Sequence, residues 1–155
     1  MGAGRGSGQR WGCTVDIHII RLRAGWECAA PGGVEARSIR LILPARADSF
    51  PIGRLRLTRR FNRPPRVTGA TAVLRLSRCP GIHSVHLNGH SAGPTSPEQA
   101  EFALSLGYLA PRNELVIEAD PPRGDEEWGM ISLIFESGPA GLRGSSDSDE
   151  EPGVR

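Results

Sequence analysis

The sequence predicts an all-β protein, an antiparallel β-sandwich followed by a disordered acidic C-terminal tail. Apolar residues recur at every second position through most of the chain, which is the periodicity of half-buried strands. Gly and Pro number 20 and 13 among 155 residues, which favours many turns over long helices. Eight or nine short strands with no convincing amphipathic helix indicate two packed antiparallel sheets, and a closed barrel is the structural alternative.

The first half of the chain contains three alternating segments. Residues 13–23 begin with Val15, Ile17 and Ile19 on one face, and the apolar phase then switches, which predicts a bend or bulge. Residues 24–37 contain Pro-Gly-Gly and are predicted to be loop. Alternation resumes over 38–43 and again over 53–61, and each segment ends at or just before proline.

The clearest strands follow in the second half. Residues 71–77 and 82–88 alternate, and Asn88-Gly89 suits a two-residue type I′ hairpin because both residues tolerate positive φ. After a polar loop come strands starting near Phe102 and Asn113, and a last strand over 128–136. Gly81–Asp120 therefore fixes the expected topology better than any other part of the chain.

The domain organisation follows from composition. We expect residues 1–11 to form a Gly-rich flexible leader, 12–138 the sandwich domain and 139–155 a disordered tail rich in acids. Basic charge is concentrated in the middle: residues 49–97 carry eight Arg and no acid, whereas 98–155 carry four Arg and thirteen acids.

The sequence also indicates where in the cell the protein is located. No apolar run approaches the roughly 18 residues of a membrane helix, and the N-terminus lacks a secretory signal, so we expect a cytoplasmic protein without a membrane partner. The three cysteines, Cys13, Cys28 and Cys79, have no close pair, which favours reduced thiols over a disulfide.

Within this pattern, the run from Gly53 to Asp120 resembles the sugar-binding, jelly-roll domain of β-galactosidase and β-glucuronidase-type glycoside hydrolases, one of the galactose-binding-like sandwiches. The resemblance is carried by Arg60-Phe61 near Pro64, by Val-x-Leu-Asn-Gly-x-x-x-Gly at Val85–Gly93, and by Asn113-Glu114-Leu115 opening a strand. The loop after Gly93 is shorter than is common in that family.

The resemblance implies a fold, and the function we expect with it is a non-catalytic binding module of unknown ligand, with a glycan as the leading candidate. Nothing in 155 residues can form the TIM barrel that carries the family's catalytic glutamates, and no G-x-S-x-G or catalytic cysteine context occurs, so no enzyme is predicted. The alternative is a protein-interaction or scaffold sandwich that keeps the fold without a sugar site.

A sugar site needs an aromatic ring with polar groups in a loop cleft. Aromatic residues that the pattern places near strand ends, together with nearby polar residues, give the candidate ligand-binding set Trp26, Arg60, Asn88, His90, Tyr108 and Trp128, with Trp11 as a further loop aromatic. A loop-end pocket lined by one of these aromatics would favour sugar binding, and an exposed apolar sheet would favour a protein partner.

Other chemistries are less well supported. His83, His86 and His90 point in different directions on a strand and past a turn, so no metal site is predicted. The loop over 120–127 could supply oxygens to a structural calcium but has no ligand-spaced motif, so no cofactor is predicted. Six arginines within 54–66 suggest polyanion binding, yet acids on later strands are available to pair with them, so nucleic acid is not the expected partner.

Overall fold

A computed structural model describes residues 16–30, 38–67 and 69–137. The predicted leader 1–11, the tail 139–155, Trp11 and Cys13 lie outside the described residues. The boundaries of the domain therefore remain predictions.

Ten strands make up almost all of the regular structure in these ranges. Their bounds, with two short 3₁₀ turns at Ala47–Ser49 and Pro65–Val67, are β1 Asp16–Arg21, β2 Trp26–Ala29, β3 Ile39–Leu41, β4 Leu55–Asn62, β5 Thr71–Ser77, β6 Ile82–Leu87, β7 His90–Ser91, β8 Phe102–Gly107, β9 Arg112–Ala119 and β10 Met130–Ser137. The predicted all-β class is confirmed for the described residues.

The strands form two sheets in which every pairing is antiparallel. A four-stranded sheet has the order β1-β10-β5-β8, and a six-stranded sheet has the order β3-β2-β4-β9-β6-β7. Because the two sheets are separate and their inner faces share one core, the sandwich replaces the closed barrel.

The core consists of the alternating inward residues of both sheets. Leu55 and Leu57 of β4 face inward beside Leu115 and Ile117 of β9, all with no exposed surface. Across the interior, Leu74 of β5 is equally buried, and Leu133, its partner on β10, is 1% exposed. The period-two pattern therefore predicted the inward face correctly on these strands.

One strand was missed from the sequence. Residues 24–37 were predicted to be loop, but Trp26–Ala29 forms β2 and pairs with both β3 and β4. The segment alternates over only four residues, with Trp26 and Cys28 buried and Glu27 exposed. Such a short run has little periodic signal, and its neighbours on both sides are what hold it in the sheet.

Candidate functional site: a polar cleft at one end of the six-stranded sheet

A cleft of about 420 Å³ opens at one end of the six-stranded sheet. Three elements meet there: the last residues of β4, the first residues of β9 and the turn between β6 and β7. The lining residues are Arg60, Phe61, Asn62, Asn88, Arg112, Asn113 and Glu114.

Strand register brings the two long walls of the cleft together. β4 and β9 are antiparallel neighbours, so the end of one lies against the start of the other, with Asn62 opposite Arg112 and Arg60 opposite Glu114. Opposite residues of an antiparallel pair share a face, so the four polar side chains form one group on the outer face of the sheet. Nε of Arg60 donates to Oε2 of Glu114 over 3.1 Å.

The third wall is the Asn88-Gly89 hairpin turn. Both residues have positive φ, 52° and 81°, as the predicted type I′ turn requires. The backbone N–H of Asn88 donates to the backbone carbonyl of Glu114 at 2.9 Å, and the backbone N–H of Glu114 donates to the side-chain Oδ1 of Asn88 at 2.8 Å. This reciprocal pair fastens the turn to β9.

Asn113 is the buried polar residue that completes this wall, with 4% of its surface exposed. Its Oδ1 accepts the Ala110 N–H and a hydrogen from Nδ2 of Asn88, each at 3.2 Å, and its own Nδ2 donates to the Ala110 carbonyl at 2.8 Å. The side-chain oxygens of both asparagines are occupied by the fold, so the two residues shape the cleft more than they offer groups to a ligand.

Four polar side chains retain hydrogen-bonding capacity toward the cleft. Asn62 and Arg112 are exposed and make no side-chain hydrogen bond or ion pair among the described residues. Arg60 keeps its terminal nitrogens, and Glu114 keeps one carboxylate oxygen. Phe61 also lines the cleft; it is half-buried and packs against the core, because its side chain points to the inner face of the sheet, opposite to Arg60 and Asn62.

The structure divides the predicted ligand-binding set. Arg60 and Asn88 line the cleft. His90 is exposed on β7, just past the turn, and Tyr108 is 74% exposed in the loop between β8 and β9, but neither lines the cleft.

The two tryptophans of that set lie in the core rather than in loops. Trp26 has no exposed surface and donates its Nε1 hydrogen to the Leu22 carbonyl at 2.8 Å. Trp128 is 2% exposed, donates to the Pro80 carbonyl at 2.9 Å and meets the Phe50 ring edge-on. Neither ring offers a face to solvent, because burial among core side chains and a satisfied indole N–H fix both in place.

Sequence reasoning missed most of the cleft. In the sequence, Phe61 and Asn113 indicate only the resemblance, and the predicted set does not contain Asn62, Arg112 or Glu114. One signal could have found them: two polar segments, 60–62 and 112–114, sit at the ends of alternating strands. Only the register of β4 against β9 shows that these segments are neighbours.

Three of the six arginines in the arginine-rich segment, Arg59, Arg60 and Arg63, make side-chain contacts with other described residues. Nε of Arg59 donates to the Ala24 carbonyl at 2.7 Å, and burial lowers the pKa of this guanidinium. Arg63 donates to the Leu109 carbonyl at 3.2 Å, and Arg56 lies directly opposite Glu118. The cross-strand pairing of arginines with acids that the sequence suggested is therefore present as an ion pair at Arg60–Glu114, whereas Arg56 and Glu118 are opposite in register without a salt bridge between their side chains.

The histidines of β6 do not converge. Nε2 of His83 is buried 2.8 Å from Oδ1 of Asp120 without the geometry of a hydrogen bond, at a bulge in the pairing of β6 with β9. In residues 16–30, 38–67 and 69–137, no group of three or more His, Cys, Asp or Glu is placed to hold a metal ion. Within the same ranges, no helix is long and apolar enough to cross a membrane.

Comparison with solved structures places this fold beside sugar-processing enzymes. The FMN-binding β-glucuronidase from Facaelibacterium prausnitzii L2-6 matches with a TM-score of 0.61 and 20% identity, over 78% of this chain and 23% of that chain. The GH2 β-galacturonidase from Eisenbergiella tayi bound to galacturonate matches with 0.61 and 18%, over 80% and 25%. The Ruminococcus gnavus β-glucuronidase in complex with D-glucaro 1,5-lactone matches with 0.61 and 12%, over 77% and 29%.

These likenesses concern the fold. The chain spans about a quarter of the length of the glycoside hydrolases it matches. No protein-family model and no curated protein matches the sequence. The chain thus has a β-sandwich fold that also occurs as one part of GH2 glycoside hydrolases, in agreement with the resemblance that the Val85–Gly93 and Asn113–Leu115 motifs indicate.

Proposed function

We propose that this chain is a non-catalytic carbohydrate-binding module of jelly-roll, galactose-binding-like type, and that the cleft between β4, β9 and the Asn88-Gly89 turn is its binding site. The observation that carries the proposal is the cleft itself. It combines unused polar side chains with an aromatic residue, Phe61, on a fold found in enzymes that act on sugars.

The cleft has the size and chemistry that a saccharide requires. Its volume of about 420 Å³ falls in the range of about 300–1,000 Å³ that is usual for small-ligand sites. Sugar hydroxyls both donate and accept hydrogen bonds, and Asn62 and Glu114 offer acceptors beside the guanidinium donors of Arg60 and Arg112. The asparagine network holds the walls in place before a ligand arrives, which reduces the entropy lost on binding.

The same cleft argues against hydrolysis. Glycoside hydrolysis generally uses two carboxyl groups held on either side of the scissile bond. Among the described residues that line the cleft, Glu114 is the one carboxylate, and it is paired with Arg60. A binding role therefore suits the site better than a catalytic one.

A glycan array probed with the full chain tests the proposal. We expect retention on a subset of glycans, and we expect Asn62→Trp to abolish it, because Asn62 is exposed and a bulky ring there fills the cleft. Ser49→Trp, which adds the same ring at an exposed position on a 3₁₀ turn outside the cleft, is the matched control. No retention on any glycan, or equal retention by the Asn62→Trp variant, contradicts the proposal.

A protein-interaction role is the second candidate, and the other sheet favours it. On the outer face of the four-stranded sheet, Ile19, Ile134 and Val73 lie side by side across β1, β10 and β5. Ile17 and Ile19 are 59% and 56% exposed. Exposed apolar residues grouped on one face are typical of protein docking surfaces. An Ile17→Ser/Ile19→Ser variant separates the roles, because it leaves glycan retention unchanged if the cleft is the site.

A further inference from the structure

We infer that the ligand of the cleft is an anionic saccharide, one that carries a carboxylate or a sulfate ester, and that Arg112 is the residue that binds its charge. This inference rests on the proposed function and names the ligand class for that site. It is carried by the balance of charges and hydrogen-bonding groups around the cleft.

The lining carries more positive than negative charge. Two guanidinium groups, on Arg60 and Arg112, face a single carboxylate, that of Glu114. The Arg60–Glu114 ion pair uses one of the two positive charges. Arg112 remains without a carboxylate partner in the described part of the chain, so one positive charge in the cleft is not compensated by the protein.

The cleft also has more free hydrogen-bond donors than free acceptors. A guanidinium presents five N–H donors and no acceptor. None of the five donors of Arg112 bonds to a described residue, and among these residues Arg60 uses only Nε. The free acceptors are fewer: one oxygen of Glu114 and the amide oxygen of Asn62. The hydroxyls of a neutral sugar can accept from these donors but do not compensate the charge, whereas a carboxylate or sulfate accepts two parallel hydrogen bonds from one guanidinium and neutralises it.

The position of Arg112 suits this role. It is the first residue of β9, directly opposite Asn62, and Asn113 beside it is buried in the hydrogen-bond network of the turn. The backbone that carries the guanidinium is therefore held on both sides, by β4 and by the asparagine pair. The side chain itself is exposed and free to close on a ligand.

The test uses a glycan array carrying matched pairs: uronate oligosaccharides with their methyl esters, sialylated glycans with their asialo forms, and sulfated glycans with unsulfated ones. We expect the full chain to retain acidic members and to bind their neutral counterparts at least tenfold more weakly, since one charge-assisted hydrogen-bonded contact contributes about that factor. Arg112→Gln should remove this preference, with Arg54→Gln, an exposed arginine before the far end of β4, as the matched control.

A second variant, Glu114→Gln, should raise the affinity for acidic glycans, whereas Arg112→Gln should lower it. Glu114→Gln removes the carboxylate of the cleft while keeping an amide oxygen, so acidic glycans should bind about two- to fivefold more tightly, as expected for one exposed charge. Equal retention of acidic and neutral partners, or no effect of Arg112→Gln, overturns the inference while leaving the proposed glycan-binding function standing. Equal binding of inorganic sulfate at the same concentration shows a simple anion site and also overturns it. No retention of any glycan overturns both.

Discussion

The side chains of Asn88 and Asn113 are joined by a hydrogen bond of 3.2 Å from Nδ2 of Asn88 to Oδ1 of Asn113. The two residues are 25 positions apart, one in the hairpin turn after β6 and the other at the start of β9. Because both also bond to the backbone of the neighbouring segments, this contact ties the turn, the β8–β9 loop and β9 into one unit. One wall of the cleft is built on that unit.

Replacement of Asn113 should destabilise the fold. Asn113→Leu keeps the approximate volume but leaves the Ala110 N–H and carbonyl and the Asn88 amide without partners, and we expect the free energy of unfolding to fall by about 2–4 kcal/mol. Urea denaturation measures it. Asn62→Leu, at an exposed asparagine on the other side of the same cleft, should change stability by less than about 0.5 kcal/mol. Equal losses in the two variants would show that the asparagine network contributes nothing.

The buried tryptophans give a spectroscopic prediction. In a Trp11→Phe background, the remaining fluorescence comes from Trp26 and Trp128, which are 0% and 2% exposed. Emission should be blue-shifted and only weakly quenched by acrylamide, and both properties should be lost in guanidinium chloride. Strong quenching of the folded protein would place at least one ring at the surface and return it to the set of candidate sugar-stacking residues.

Two glycines allow a matched test of a close backbone approach. Gly81 and Gly53 both have positive φ, 87° and 102°, so alanine is strained at either position. A Cβ at Gly81 would lie 3.2 Å from Cβ of Asp120, whereas nothing lies within 4 Å at Gly53. Gly81→Ala should therefore lower the thermal midpoint more than Gly53→Ala, by a difference corresponding to about 1 kcal/mol or more. Equal shifts would mean that β6 and the end of β9 are not this close.

Because of the two described cysteines, the free energy of unfolding should fall as the pH rises above 9. Burial raises the pKa of the Cys28 thiol from about 9 to about 11, and burial, with the negative charge of Glu101, raises that of Cys79 to about 12. From pH 9 upward, the unfolded chain loses these protons while the folded chain keeps them. Each thiol should then lower the free energy of unfolding by up to about 1.4 kcal/mol per pH unit until its folded pKa is reached.

Comparison with a Cys28→Ala/Cys79→Ala variant isolates this effect from other groups that titrate at high pH. The contribution of the thiols is complete below pH 9 and is lost as the pH rises through 11 to 12. Stability of the variant should consequently fall less steeply between pH 9 and 11. Identical slopes would contradict the burial of the two thiols.

Sequence alone predicted the sandwich because alternation is a local signal. The strands with the longest alternation, such as 71–77 and 112–119, were recognised, and the Asn88-Gly89 turn follows from the φ tolerance of two residues. The strand Trp26–Ala29 was missed because four residues carry almost no periodicity, and pairing on both sides decides their conformation.

The site could be predicted only in part. Arg60 and Asn88 were included because of their residue types and neighbourhood, and both line the cleft. Trp26 and Trp128 were included because the pattern placed them near strand ends, but burial is a tertiary property and both rings fill the core. Arg112 lies opposite Asn62 through a register between strands 50 positions apart, which no local pattern reveals.

The most direct test of the central claim is an NMR titration of the full chain with the glycan that the array selects. Binding in the cleft predicts that the amide shifts that change most belong to 60–62, 88–89 and 112–114, and that these changes disappear in Asn62→Trp. Shifts confined to the outer face of the four-stranded sheet, around Ile19 and Ile134, or no saturable shifts at millimolar glycan, would contradict it.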